Sequence, residues 1–183
     1  VKKKIYLIRH CKANGQEAEA HLTHEGKAQA ASIASFLASK SIDVLYSSPF
    51  KRAIDSVLPF SQESDLEIIL DQRLAERILS KHNIQDWMEK LSQTFQDKTI
   101  VFEGGESSMA ASSRGLEAIE DFLDGPFHSA AMVSHGNMIS LILNHFDDAF
   151  GFEQWKTLSN PDVYLLEFEG SVPEARRVWG SPV

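Results

Sequence analysis

"KIYLIRHCKANG", residues 4 to 15, decides how the rest of the chain is read. Lys4 to Ile8 is rich in β-branched and aromatic residues without polar alternation, the composition of a strand buried on both faces. Arg9, His10 and Cys11 follow directly. Ligands of open α/β sheets bind beyond the carboxyl ends of strands, so these three side chains stand where a site is expected.

Working outward, the apolar period changes after Thr23, where Ala28, Ala31, Ile33, Ala34, Phe36 and Leu37 trace a helical face with Thr23 as its N-cap. Asp43 to Tyr46 reads as a second strand closed by a Ser-Ser-Pro turn. A helix begins at Phe50 with Ala53, Ile54, Val57 and Leu58 on one side, and "LEIIL", 66 to 70, reads as a third strand. Ile84, Trp87, Met88, Leu91 and Phe95 recur at spacings of three and four, predicting an amphipathic helix over 84–95 whose stripe is core or a wall over a pocket.

"EGGES" breaks that pattern, and a helix follows from an N-cap at Ser107 to about Leu123. "SAAMVS", 129 to 134, reads as a buried strand and Asn137 to His145 as a helix. "DVYLLEF", 162 to 168, is a strand with which 175 to 180 pairs as an edge hairpin. Strands alternating with helices imply parallel crossovers. The expected fold is a three-layer α/β/α sandwich with a mostly parallel central sheet and an antiparallel C-terminal edge. No repeat, low-complexity tract or linker divides the chain, so a single domain over 1–183 is expected. In that topology Ser134 and His135 reach the same rim as Arg9 and His10.

Hydrophobic residues make up 43% and charged residues 24%, ordinary for a globular protein that folds on one core. The net charge of -8 argues against a general nucleic-acid or anionic-membrane partner, because both need a basic surface. An anion site must then be a local concentration of cations. Cys11 is the only cysteine, which excludes an intramolecular disulfide and a cysteine zinc cluster. A reducing cytoplasm is the expected setting. The apolar run before Arg9 is too short for a signal peptide or a membrane span.

Two phosphate chemistries compete at residues 9 to 11. A cysteine phosphatase requires an arginine six residues after its nucleophile, and position 17 is a glutamate that would repel both thiolate and phosphate. Cys11 is therefore read as a small apolar residue beside the site.

The histidine alternative gathers further motifs. "LIRHCKANGQ" resembles the Arg-His-Gly signature of the phosphoglycerate mutase-like histidine phosphatases. "HLTHEGKAQA" is similar to the family's Leu-Thr-x-x-Gly-x-x-Gln-Ala stretch at Leu22, Thr23, Gly26, Gln29 and Ala30. "YSSPFKRAIDS" resembles its Ser-Ser-Pro-x-x-Arg-Ala element, with Arg52 at the arginine. "GGES" at 104 to 107 and "VSHGNMIS" at 133 to 140 follow in the family's order. The likeness extends from residue 4 to about residue 168.

The resemblance implies a phosphatase in which His10 attacks phosphorus and forms a phosphohistidine, splitting one displacement into two. Arg9 and Arg52 would grip phosphate with their planar forks and keep His10 unprotonated. His135, at the start of a helix, would donate to a nonbridging oxygen. Glu76, at the family's Leu-x-Glu position, would protonate the leaving alcohol and then activate water. Gln16 and Glu106 would contact substrate at the pocket rim.

No cofactor is expected. His21 and His24 lack the acidic partners of a metal set, and metal-independent hydrolysis of a small phosphomonoester is the leading function. A cofactor-dependent phosphoglycerate mutase and a non-catalytic phosphate-binding module are the alternatives. Only 27 residues, 77 to 103, separate Glu76 from Gly104, which favours the phosphatase because mutases of the family carry extra length there. Cys11, Lys12 and Ala13 depart from the family's usual loop, with Lys12 adding a cation near the mouth. Oligomeric state and the alcohol part of the substrate are left open.

Overall fold

The computed structural model describes residues 2–180, so residue 1 and residues 181–183 of the expected domain lie outside the described residues. In chain order the elements are β1 (Lys3–Arg9), α1 (His24–Ala38), β2 (Val44–Ser47), α2 (Lys51–Ser64), β3 (Ile68–Leu70), α3 (Trp87–Gln96), α4 (Ser108–Asp124), β4 (Ser129–Ser134), α5 (Gly136–Phe146), α6 (Phe152–Thr157), β5 (Asp162–Phe168) and β6 (Glu174–Arg177). The six strands form one sheet in the order β3-β2-β4-β1-β5-β6. The first four in that order are parallel, while β5 and β6 run antiparallel at one edge.

Period-two alternation along the strands builds the three layers. Ile5 and Leu7 of β1 and Ala130 and Met132 of β4 join Ile119, Phe122, Met138 and Ile142 of α4 and α5 in one apolar cluster. Tyr6, Ile8, Ala131 and Val133 point the other way, into a cluster with Ile33, Leu37, Val57 and Phe60 of α1 and α2. Each fully buried Ile, Leu or Phe in these layers contributes roughly 2 kcal/mol of transfer free energy. The sandwich expected from the sequence is the observed fold.

Side-chain N-caps mark two of the six helix starts. Thr23 accepts the Gly26 N–H and Ser107 accepts the Ala110 N–H, so both expected N-caps are in place. Two elements differ from expectation. The helix predicted over 84–95 begins only at Trp87, and α6 is an additional six-residue helix. The stripe on α3 divides accordingly: Leu91 is buried, whereas Trp87 meets Trp155 edge to face and Phe95 meets Phe152, both on α6. Among the described residues no helix is long and apolar enough to cross a membrane.

Register brings the reactive residues together. Arg9 pairs with Ser134 on one side and Asp162 on the other, and Ser47 pairs with Val133. The carboxyl ends of β1, β2 and β4 therefore converge, with β4 inserted between β1 and β2. That insertion makes the rim a topological switch point, the place where open α/β sheets bind ligands.

Candidate active site

His10 leaves the end of β1 with its main-chain N–H donated to the Ser134 carbonyl at 3.1 Å, and Asn160 Nδ2 donates to its carbonyl at 2.9 Å. Its ring Nδ1 lies 2.7 Å from the Cys11 carbonyl. A carbonyl only accepts, so Nδ1 carries the proton and Nε2 holds the lone pair. Consistent with that tautomer, Arg52 Nε donates to His10 Nε2 at 3.2 Å. Burial first, then the charges of Arg52 and Arg9, push His10 down to about 4, against the opposing pull of the Cys11 carbonyl. The imidazole is neutral at neutral pH.

Arg52 opens α2 and is almost completely buried. Its Nη1 donates to the Gln16 and Glu17 carbonyls at 3.0 and 2.9 Å, and its guanidinium lies 5.0 Å from the Phe50 ring centroid. Gln16 thus enters the site through its main-chain carbonyl, with an exposed side chain. Arg9 Nη1 donates to the Leu158 carbonyl at 3.0 Å. Burial lowers the pKa of both arginines, with Glu76 opposing.

His135 is the residue before α5 and is fully buried, its ring centroid 5.1 Å from that of His10. Its Nε2 lies 2.7 Å from Ser48 Oγ, which also accepts the Phe50 N–H at 3.3 Å. The Ser48 hydroxyl can donate to Nε2 or accept from it, and in the first case the ring proton sits on Nδ1, which has no partner of its own. Burial and the nearby His10, Arg52 and Arg9 hold His135 well below its ordinary range, so it too is neutral.

Buried polar atoms are rarely left unpaired. Among the described residues four side-chain atoms are, and three of them sit at this rim: Arg9 Nε, His135 Nδ1 and Asn137 Oδ1. The fourth, Ser129 Oγ, belongs to the opposite end of β4. A crevice with two guanidinium groups and an orphaned imidazole nitrogen is built for an anion.

Glu76 also reaches the rim. Its Oε1 accepts the Met138 N–H at 2.9 Å and the Arg77 N–H at 2.8 Å, and Oε2 accepts the Asn137 N–H at 3.1 Å. The carboxylate therefore occupies the N-terminus of α5, where the helix carries its partial positive charge. Glu106 is placed differently from the expected substrate contact. Its carboxylate forms a two-pronged pair with Arg114, at 3.0 and 2.7 Å, and accepts the Ile78 N–H at 3.0 Å.

The sequence singled out Arg9, His10, Arg52, Glu76 and His135, and these five converge. It missed the parts played by Ser48, Asn160 and Arg114. Ser48 lay inside a quoted motif, but a helical arginine such as Arg114 ordinarily reads as solvated, and nothing marked it. Lys12 is not a free cation, since its Nζ donates to Glu25 at 2.6 Å. Cys11 is wholly buried, and burial raises its thiol pKa to about 11, which fits an inert apolar neighbour. Among the described residues no group of three or more His, Cys, Asp or Glu side chains could hold a metal.

A switch-point crevice with paired histidines and arginines defines a class, and residues 5–179 match the family model of the histidine phosphatase superfamily, branch 1. The chain belongs to that superfamily, and its class is that of a phosphatase. Phosphoserine phosphatase 1 of Hydrogenobacter thermophilus is 26% identical over 157 residues, covering 78% of this chain and 70% of the relative. Solved structures share the fold. A mycobacterial glucosyl-3-phosphoglycerate phosphatase superposes over all of both chains with a TM-score of 0.77 at 19% identity. A phosphoserine phosphatase mutant from Entamoeba histolytica in complex with phosphoserine covers 94% of each chain, with a TM-score of 0.77 at 20% identity.

Proposed function

We propose that the protein is a metal-independent phosphomonoesterase that hydrolyses a small phosphate ester through a phosphohistidine on His10. The observation that carries this reading is the His10 tautomer: Nδ1 is committed to the Cys11 carbonyl, and the Nε2 lone pair faces Arg52. A substrate phosphate would exchange the Arg52–His10 bond for bonds to its own oxygens. Arg9, Arg52 and the His135 Nδ1–H then hold the nonbridging oxygens while Nε2 attacks in line.

As the P–N bond forms, the P–O bond to the alcohol breaks, and Glu76 gives its proton to the departing oxygen. The protonated carboxyl is the acid of this step, and the carboxylate left behind is the base of the next. Water next attacks the phosphohistidine, Glu76 takes its proton, and inorganic phosphate leaves. Gln16, exposed beside Arg52, is assigned to the mouth, where its amide can reach phosphate or the alcohol.

Phosphoserine is the first natural ester to assay, given the activity named for the Hydrogenobacter relative. The test is hydrolysis of p-nitrophenyl phosphate and phosphoserine in EDTA by the wild type and His10→Ala, with radiolabelled substrate quenched to trap an acid-labile phosphoenzyme. Loss of turnover and of label in the variant is expected. EDTA-insensitive activity in His10→Ala would remove His10 as nucleophile, and binding without turnover in the wild type would favour the phosphate-binding module.

A further inference from the structure

We infer that Arg114, acting through Glu106, is the positioning residue that delivers the Glu76 carboxyl to the leaving oxygen. The inference rests on the reading of Glu76 as general acid. It takes Glu106 out of the substrate contacts and gives it a different task.

All five N–H groups of Arg114 are used. Nε and one Nη2 proton go to the two Glu106 oxygens, Nη1 goes to the carbonyls of Arg73 at 2.8 Å and Ala75 at 2.9 Å, and the remaining Nη2 proton goes to the Glu76 carbonyl at 3.2 Å. One guanidinium thus holds three of the four carbonyls from residue 73 to residue 76. Only arginine has a fork with enough donors for this.

Glu106 secures the other side. Its Oε2 accepts the Ile78 N–H, its main-chain N–H donates to the Ile78 carbonyl at 2.8 Å, and its carbonyl accepts from Arg77 Nε and Nη2 at 3.2 and 3.0 Å. Gly105 makes this closeness possible, because a Cβ there would collide with the Ile78 and Leu79 carbonyls. Glu76 lies between the held carbonyls of Arg73 and Ala75 and the pairing at Ile78, just past a single 3-10 turn, Gln72–Leu74, and outside any helix or strand. Arg114 and Glu106 belong to α4 and its approach, so a rigid helix sets the place of a loop carboxylate.

A change of leaving group separates positioning from general support of the fold. p-Nitrophenolate departs as a stable anion and needs little help, whereas an alkoxide must be protonated. kcat/KM covers the steps up to phosphorylation of His10 and is the quantity to compare, using p-nitrophenyl phosphate and β-glycerophosphate. In Arg114→Ala, the β-glycerophosphate value is expected to fall roughly tenfold or more beyond any fall with p-nitrophenyl phosphate, within the range that a general acid supplies. Glu106→Gln, which keeps the main-chain bonds to Ile78 and Arg77, is expected to show the same selectivity to a smaller degree, and serves if Arg114→Ala does not fold. Glu76→Gln should be selective, and adding Arg114→Ala to it should cost no further selectivity.

Equal losses on both substrates in Arg114→Ala and Glu106→Gln, with Glu76→Gln still selective, would overturn the positioning role and leave the acid standing. A Glu76→Gln variant with no selectivity would overturn both.

Discussion

Arg52 Nε sits 3.2 Å from His10 Nε2 and donates to it, so a fixed cation faces the ring's lone pair, the nucleophile of the proposed reaction. Two main-chain carbonyls on Nη1 hold the guanidinium there without neutralising it. Arg52→Ala should lower kcat by about 10²- to 10³-fold, the usual cost of removing one preset donor to developing charge. Arg52→Lys should recover little, because an ammonium cannot reach Nε2, the two carbonyls and a phosphate oxygen at once. Steady-state kinetics on p-nitrophenyl phosphate check both; a fully active lysine variant would show that only charge is required.

With His10 as the proposed nucleophile, its protonation state sets the acid side of the pH profile. Since burial and the two arginines bring it down to about 4, the rise of kcat/KM with pH should lie near pH 4 instead of near its ordinary 6.5. Stability follows the same linkage. Between 6.5 and about 4 the unfolded chain binds a proton that folded His10 refuses, so stability is complete above 6.5 and is lost as pH falls through the folded value. The interval corresponds to about 3 kcal/mol. Urea unfolding at pH 7 and pH 4.5 should show a smaller loss in His10→Gln than in the wild type; equal losses would mean that other groups govern acid unfolding.

On the proposed reading of the site, Ser48 donates to His135 Nε2 and so keeps the ring proton on Nδ1. Its hydroxyl lies 2.7 Å from Nε2 and accepts the Phe50 N–H, while Nδ1 is buried without a partner. Ser48→Ala removes that control, and the tautomers should mix. Nitrogen-15 shifts of the imidazole report the change directly, and phosphate inhibition should weaken by roughly tenfold, the scale of one hydrogen bond to a charged group. Ser48→Thr should restore both. An unaltered tautomer in Ser48→Ala would assign the control to another group.

How far the sequence could be read follows from which interactions are local. The strand at Lys4 to Ile8, the Thr23 and Ser107 caps and the alternation that splits Ile5 from Tyr6 between layers depend on near neighbours and could be read directly. The convergence of Arg9, His10, Arg52 and His135 was legible because strand ends in parallel sheets share a rim. What could not be read were partners remote in sequence. Arg114 meets Arg73 and Ala75 about forty positions away, and Asn160 caps the His10 carbonyl across 150. Likewise, α6 is too short to impose a helical period, and α3 starts late although Ile84 continues its spacing. The placement of Glu76 on α5 depends on the path of a loop that no periodicity encodes.

Gly136 connects the two halves of the anion site through a contact that has no room to spare. A Cβ at this position would lie 3.0 Å from Cζ, Nε and Nη2 of Arg9, against the flat side of the guanidinium. Arg9 cannot simply withdraw, since its Nη1 is bonded to the Leu158 carbonyl and its Nε is the donor left free for a ligand. In Gly136→Ala the guanidinium must therefore give by a few tenths of an ångström, turning that donor away from the phosphate position. Alanine in the first turn of α5 is at the same time favourable for helix formation, so global stability should change by no more than about 1 kcal/mol. Inhibition by inorganic phosphate should weaken by roughly tenfold, the scale of one charge-assisted hydrogen bond, while the melting temperature stays within a few degrees. A variant that binds phosphate like the wild type would mean that Arg9 has another place to go, and the glycine would then serve the helix start alone.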